Sequence, residues 1–179
     1  STALADLGVQ AGEYFLVSAH REENVDSPDR LRSLFECLDA AAGRGAGAGV
    51  HPPRTRKRLG TLPDAAVSAL VRFHAPFGVL DYNRLQLDAR CVLSDSGTIA
   101  EESTILGFPA VTLRSSIERP EALDTGAITV IDLDPVALTI AIRFGMPGRT
   151  DRAPADYQIA NPSGRVGNFI LSTTFQHEF

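Results

Sequence analysis

The sequence is poor in the residues and patterns that mark several protein classes. It contains no tryptophan, one methionine and two cysteines, and 7% of its 179 residues are aromatic. Cys37 and Cys91 have neither the number nor the spacing of a disulfide framework or a metal site. No apolar run approaches the roughly 18 residues of a membrane span. The opening STALADLGVQ lacks the pattern of a signal peptide. We therefore expect a cytoplasmic protein without a membrane segment, metal or cofactor.

Several catalytic and nucleic-acid-binding patterns are also missing. We find no Walker loop, no GxGxxG fingerprint and no nucleophile elbow. The 17 basic against 22 acidic residues give a net charge of −5, which argues against a general nucleic-acid surface. The dense basic cluster at residues 53–59 is interpreted mainly as a solvated helix face. A hydrophobic content of 44% excludes disorder, and the length fits one domain, residues 1–179, or a fragment of a larger protein.

Short apolar runs alternate with helical patterns along the chain. The predicted strands are Tyr14–Ser18, residues 67–73, Cys91–Ser94, Ala110–Leu113 and Ile128–Ile131, with an abbreviated strand or a loop in the glycine-rich stretch before Val50. The predicted helices are one opened by Ser27 and Pro28, residues 81–89 with Asp81 as a possible N-cap, Ile99–Leu106, residues 120–125 and Pro135–Phe144. Residues 150–179 are expected to be a tail or a final helix. This alternation predicts a single three-layer α/β domain with a mostly parallel sheet.

The strongest local pattern lies between Leu93 and Glu102. A buried strand ends, Ser96, Gly97 and Thr98 form a small turn, and a helix begins. Backbone N–H groups and the positive end of the helix dipole make such a turn suitable for phosphate, although a plain N-cap explains it equally well. Glu102, one turn into the helix, either accepts hydrogen bonds from a ribose diol or merely complements the dipole.

Two further residues follow predicted strands. His20 stands in the charged segment after Tyr14–Ser18, and its imidazole either moves a proton or binds a phosphate oxygen, or is a satisfied loop residue. Because the carboxyl ends of parallel strands meet at one edge, His20 and Ser96 are expected on the same rim. Arg119, before a predicted helix, is either a surface charge or a clamp for a diphosphate or carboxylate.

Five segments together resemble one enzyme family. SAHREEN, HPPRTRKRL, PFGVLDYNRLQ, CVLSDSGTIAEES and TLRSSIERPEALDTG follow one another as in the C-terminal half of the non-hydrolysing UDP-N-acetylglucosamine 2-epimerases. DYNRLQ followed by LSDSGTIAEES is most similar to the capsular and O-antigen branch, which forms UDP-N-acetyl-L-fucosamine. The resemblance implies a UDP-binding Rossmann-like domain, one half of a GT-B-like two-domain enzyme.

The resemblance also implies a reaction and a set of site residues. UDP leaves a UDP-N-acetylhexosamine by anti elimination and adds back after the proton at C2 has been replaced on the other face. The implied roles are His20 as the active-site histidine, Ser96, Gly97 and Thr98 on the diphosphate, Glu102 on the ribose, Arg119 on UDP, and Phe77 and Tyr82 beside the uracil. The family's acid/base carboxylates lie in its N-terminal half. We therefore expect this chain alone to bind UDP but not to epimerise a UDP-N-acetylhexosamine. We expect the full-length protein to be a homodimer.

Two other functions remain compatible with the sequence. The chain is alternatively the donor-binding domain of a GT-B glycosyltransferase, which binds UDP-sugars on the same rim, or a non-catalytic nucleotide-sugar-binding module. The SAHREEN and SIERPE motifs favour the epimerase. Sugar transfer to an acceptor would identify the glycosyltransferase, and a reading frame that continues upstream of Ser1 would argue against an isolated module.

Overall fold

One parallel sheet organises the chain. The computed structural model describes residues 1–44, 47–50, 68–115, 123, 126, 128–144 and 155–174. The strands are β1 Tyr14–Ser18, β2 Gly47–Val50, β3 Val71–Phe73, β4 Cys91–Ser94, β5 Ala110–Leu113 and β6 Ile128–Ile131. The described helices are α1 Ala3–Leu7, α2 Glu22–Val25, α3 Pro28–Ala42, α4 Val79–Asp88, α5 Ile99–Leu106, α6 Pro135–Phe144 and α7 Pro162–Thr174, with a 3-10 turn at Ala155–Gln158.

The strand order fixes where a ligand can bind. The order in the sheet is β3-β2-β1-β4-β5-β6, and each neighbouring pair is parallel. Successive strands are added on one side of β1, and the chain then crosses to the other side at β4. In open α/β sheets, ligands bind beyond the carboxyl ends of the strands where the order reverses. That point lies beyond Ser18 and Ser94, which are paired in register.

Both faces of the sheet are covered, which explains why the central strand β1 is buried at every position. In β1, Phe15 and Val17 belong to the hydrophobic cluster that includes α3 and α6, whereas Tyr14 and Leu16 pack in the cluster of α1, α4 and α5. Every residue of β1 is buried. A strand buried on both faces has no polar side to alternate with. The predicted three-layer α/β fold with a parallel sheet is therefore confirmed.

Most predicted elements are confirmed, with some corrections. Ser27 caps α3 as expected, since its hydroxyl accepts a hydrogen bond from the backbone N–H of Arg30. Of the two alternatives for the glycine-rich stretch, the abbreviated strand is confirmed: Gly47–Val50 forms the four-residue strand β2, which pairs with β1 and β3. The N-cap assignment of Asp81 is wrong: α4 begins at Val79 after Gly78, and Asp81 lies in its first turn. The strand predicted over residues 67–73 is shorter than expected: it begins at Val71, after a turn at residues 69–70. Three predicted parts lie outside the described residues, namely the basic cluster at residues 53–59, residue 67 and most of the helix 120–125.

The end of the described chain is helical. The structure has α7 within the region expected to be a tail or a final helix. Its side chains Val166, Phe169, Ile170 and Leu171 are largely exposed. None of the helices in the described ranges combines the length and the apolar character that crossing a bilayer requires.

The burial of the two cysteines gives a first testable prediction. Cys37 and Cys91 are completely buried, and burial raises the pKa of each thiol to about 12. Because the thiolate is the reactive form, neither should react with a disulfide reagent such as DTNB at about pH 8 while the chain is native. Unfolding in guanidinium should expose both to rapid reaction. Prompt labelling of the native chain, measured by absorbance, would contradict the packing of α3 and β4.

Candidate functional site

A cleft opens at the predicted edge of the sheet. Its volume is about 540 Å³, within the range of roughly 300–1,000 Å³ that is usual for small-molecule sites. It is lined by Ser18, His20, Phe77, Val79, Tyr82, Asn83, Ser94, Ser96 and Glu102. The cleft lies where β1 and β4 end, and therefore at the point where the strand order reverses.

A buried carboxylate holds the two turns that form the floor of the cleft. Asp95 follows β4 and is 0% exposed. Its oxygens accept hydrogen bonds from the backbone N–H of His20, 3.0 Å to each oxygen, from the backbone N–H of Arg21 at 2.9 Å and from Asn24 Nδ2 at 3.0 Å. A charge that water cannot reach has to be compensated by such donors. The turn after β1 is thereby fixed to the turn after β4.

The same carboxylate orients the side chain of His20. His20 Nδ1 lies 3.5 Å from Asp95 Oδ1, within ion-pair distance, while half of the side chain is exposed. With Nδ1 directed at the carboxylate, Nε2 is the nitrogen left to meet a ligand in the cleft. An imidazole held in this way can accept a proton at Nε2, or carry a positive charge beside an anion.

The support for this turn extends across the sheet to β6. Asn24 is fully buried, and its Oδ1 accepts hydrogen bonds from Arg30 Nε at 3.0 Å and Nη2 at 2.9 Å. Arg30 Nη2 also donates to Asp132 Oδ1 at 2.7 Å, and this hydrogen bond lowers the pKa of the Asp132 carboxyl. The loop that carries His20 is therefore held at both ends by charged hydrogen bonds.

The Ser96-Gly97-Thr98 turn does not behave as a plain helix cap. Thr98 occupies the N-cap position of α5, but within the described chain its side chain makes no capping bond to the helix backbone. Its hydroxyl instead donates to Glu102 Oε1 at 2.6 Å and lies 3.0 Å from Ser96 Oγ. The helix N-terminus therefore has no side-chain cap from Thr98, which favours the anion-binding interpretation over the plain cap.

Two guanidinium groups flank this turn. A Cβ placed on Gly97 would lie 3.9 Å from Arg114 Nη1 and 3.9 Å from Arg21 Nη2. Arg114 follows β5 at the same edge of the sheet and is 6% exposed. Guanidinium groups at a helix N-terminus complement phosphate oxygens in charge and in hydrogen-bond geometry. Arg21 Nη1 also lies 3.4 Å from Glu23 Oε1, so the two guanidinium groups stand among carboxylates at this edge of the sheet.

Glu102 lies on the other side of the turn with two donors already in place. Its Oε1 accepts the Thr98 hydroxyl, and its Oε2 accepts Gln86 Nε2, each at 2.6 Å. An ionised carboxylate has about four acceptor positions, so about two remain for a ligand. Two acceptor positions are the number that a pair of neighbouring hydroxyl groups requires.

Aromatic side chains form one wall of the cleft. Burial raises the pKa of the Tyr82 hydroxyl, which hydrogen-bonds to Ser18, so this side chain is neutral. The ring of Phe77 lies 5.6 Å from that of His74, measured between centroids. Burial and the nearby Arg72 lower the pKa of His74, which is therefore uncharged near neutral pH. A flat aromatic group can pack against such a wall.

Comparison with known proteins identifies the family. Residues 1–170 match the family model described as UDP-N-acetylglucosamine 2-epimerase. The chain belongs to this family. The UDP-N-acetylglucosamine 2-epimerase of Methanocaldococcus jannaschii is 35% identical over 122 residues, which are 64% of this chain and 33% of that protein. The UDP-2,3-diacetamido-2,3-dideoxy-D-glucuronate 2-epimerase of Pseudomonas aeruginosa is 33% identical over 133 residues, 73% of this chain and 36% of that protein.

Solved structures of the epimerase family share the fold. The Methanocaldococcus jannaschii epimerase in complex with UDP-GlcNAc and UDP superposes with a TM-score of 0.77 at 28% identity, over 97% of this chain and 49% of that chain. The epimerase of Rickettsia bellii gives a TM-score of 0.70 at 29% identity, over 99% and 48%. The chain thus spans about half the length of these solved relatives.

The structure brings most of the predicted site residues together. The cleft is lined by His20, Phe77, Tyr82, Ser96 and Glu102, and the same turn continues through Gly97 and Thr98. Arg119 lies outside the described residues. The sequence analysis missed Arg21, Asn24, Gln86, Asp95 and Arg114. Arg114 directly follows a predicted strand, so the strand-end rule that singled out His20 would have found it too.

The role of Asp95 gives a stability prediction. Asp95→Ala leaves buried donors without an acceptor, and each hydrogen bond to a charged group contributes about 1.5–3 kcal/mol, so we expect the free energy of unfolding to fall by about 3 kcal/mol. Denaturant unfolding followed by circular dichroism measures this change. Asp29, whose side chain is 94% exposed, provides the control, and Asp29→Ala should change stability by about 0.5 kcal/mol. Similar losses in the two variants would contradict the anchoring role.

Proposed function

We propose that this chain is the UDP-sugar-binding part of a UDP-N-acetylhexosamine 2-epimerase, corresponding to the enzyme's C-terminal half. The observation that carries the proposal is a single cleft shared by His20, the Ser96-Gly97-Thr98 turn and Glu102. Membership of the epimerase family supports it. The superposition over 97% of the chain with a relative in complex with UDP-GlcNAc and UDP supports it further.

The cleft accommodates the parts of UDP in a definite order. The diphosphate lies at the Ser96-Gly97-Thr98 turn, where Arg21 and Arg114 supply positive charge. The ribose hydroxyl groups donate to Glu102, and the uracil packs against Phe77 and Tyr82. The family resemblance adds Arg119 as a further contact with UDP. The two arginines beside Gly97, and Glu102 one turn into the helix, set the direction that we propose for the nucleotide.

The reaction that we propose is elimination and re-addition of UDP with inversion at C2. His20 Nε2 assists the departure of UDP, as a proton donor or as a positive charge near the β-phosphate. Inversion also needs one group to remove the C2 proton and another to return it on the opposite face. The residues of the cleft lie at one edge of one sheet, and in this proposal they bind the UDP part of the substrate. The groups for the second face are assigned to the family's N-terminal half.

The cellular role is proposed from the motifs. DYNRLQ followed by LSDSGTIAEES supports an assignment to the capsular and O-antigen branch, with a UDP-N-acetylhexosamine as substrate. The full-length enzyme is proposed to be a cytoplasmic homodimer that needs no cofactor. Incubation of the full-length enzyme with a UDP-N-acetylhexosamine, with the product identified by NMR, tests the proposed reaction and substrate class.

The ribose contact can be tested by one substitution. We expect Glu102→Ala to weaken UDP binding by about 1–3 kcal/mol, the cost of losing hydrogen bonds to a charged acceptor. Calorimetric titration of the chain with UDP measures the change. Glu101→Ala removes the same charge from the same helical turn but from a residue that does not line the cleft, and it should bind UDP almost as tightly as the unmodified chain. Unchanged binding in Glu102→Ala would refute the assignment.

The proposal assigns UDP binding to this chain and C2 proton exchange to the N-terminal half, and this gives a second functional test. The chain alone should bind UDP-N-acetylhexosamine without epimerising it, because we assign the groups that exchange the C2 proton to the family's N-terminal half. Incubation in deuterated water, with the C2 position followed by proton NMR, should show no deuterium incorporation above the uncatalysed rate. Incorporation at an enzymatic rate would show that the catalytic groups lie within these 179 residues.

A further inference from the structure

Gln86 stands out because a polar side chain is fully buried beside the cleft. It lies on α4 and is 0% exposed. Its Nε2 donates a hydrogen bond to Glu102 Oε2 at 2.6 Å, across 16 positions of sequence. The acceptor is a carboxylate, so the amide has to present its nitrogen, and the orientation of the amide is settled by chemistry.

The oxygen of the same amide is buried without a hydrogen bond, which costs free energy. Gln86 Oε1 is buried and has no hydrogen-bond partner among the residues that the structure describes. An unsatisfied amide oxygen in the interior is unfavourable, and an apolar side chain of the same length would avoid the penalty. The neighbouring Leu85 shows that this part of α4 can bury an apolar residue. The contact that the amide does make, with Glu102, is therefore the one that explains a glutamine here.

Together with Thr98, Gln86 holds both oxygens of Glu102. The Thr98 hydroxyl occupies Oε1 from the exposed side, and the Gln86 amide occupies Oε2 from the buried side. A glutamate side chain otherwise loses rotamer freedom when it engages a ligand. Fixing the carboxylate before binding removes that loss, which is how preorganisation raises affinity.

We propose that Gln86 is a positioning residue that sets the preference of this site for a ribonucleotide over a deoxyribonucleotide. It does so by holding Glu102 Oε2 for the 2′-hydroxyl group, while Thr98 holds Oε1 for the 3′-hydroxyl group. The inference rests on the proposed function, since it requires the ribose of a nucleoside diphosphate to lie at Glu102. Gln86 itself does not touch the ligand. Its effect is confined to the part of the affinity that depends on the 2′-hydroxyl group.

The test compares UDP with 2′-deoxy-UDP on the whole chain by calorimetric titration. The unmodified chain should bind UDP about tenfold more tightly, or more, because a hydrogen bond to a charged group is lost with the 2′-hydroxyl. Gln86→Met keeps the length of the side chain and removes the donor. It should reduce the ratio to about threefold or less while leaving the affinity for 2′-deoxy-UDP within about twofold. Gln10→Met makes the same change at an exposed residue and should keep the full ratio.

The outcomes separate the two proposals. If the unmodified chain does not bind UDP, the proposed function fails and the role of Gln86 fails with it. If the chain binds UDP and Gln86→Met keeps the full ratio, only the role of Gln86 is overturned. An equal loss for both ligands makes Gln86 a purely structural residue and also overturns it. If thermal melting shows that Gln86→Met is unfolded, Gln86→Asn decides, because it keeps the amide but is one methylene too short to reach Glu102.

Discussion

The hydrogen bonds to the buried Asp95 carboxylate are the constraint on which the site depends. Strands β1 and β4 are paired so that Ser18 and Ser94 lie side by side, and the backbone N–H of Asp95 donates to the Ser18 carbonyl oxygen. This pairing brings the turn after β1 within reach of the Asp95 side chain. Because water does not reach the carboxylate, its donors have to come from that turn. The position of His20 is thus a consequence of satisfying a buried charge.

How much of this could be predicted from sequence depends on the range of the interaction. The strand Tyr14–Ser18 is buried at every position because both faces of the sheet are covered. Its run of apolar residues therefore predicts a strand from the local sequence alone. The rim shared by His20 and Ser96 followed from the rule that parallel strands end at one edge. The strand Gly47–Val50 has weak propensity and exists because two neighbours pair with it. The sequence therefore left an abbreviated strand and a loop as alternatives, and pairing with β1 and β3 decides for the strand.

The residues that the sequence analysis missed are those whose role depends on a distant partner. Gln86 reads as a polar position in a short helix until the structure places Glu102 beside it. Asn24 belongs to a charged segment, yet it is buried because Asp95, Arg30 and the Leu113 carbonyl oxygen surround its amide. The sequence shows only that the side chains of Gln86 and Asn24 are polar. Only the fold shows that they are buried, and burial is what makes their hydrogen bonds specific.

Two carboxylates at the cleft illustrate how hydrogen-bond saturation divides structural from functional roles. Asp95 receives contacts from two backbone N–H groups and from an amide, with His20 Nδ1 nearby, so its roughly four acceptor positions are occupied by protein. It has no capacity left for a ligand, and its role is to hold the chain. Glu102 receives two donors and lines the cleft, so half of its capacity is open. The two acids are seven residues apart in sequence and have the same charge. What separates their roles is the number of protein donors that each already holds.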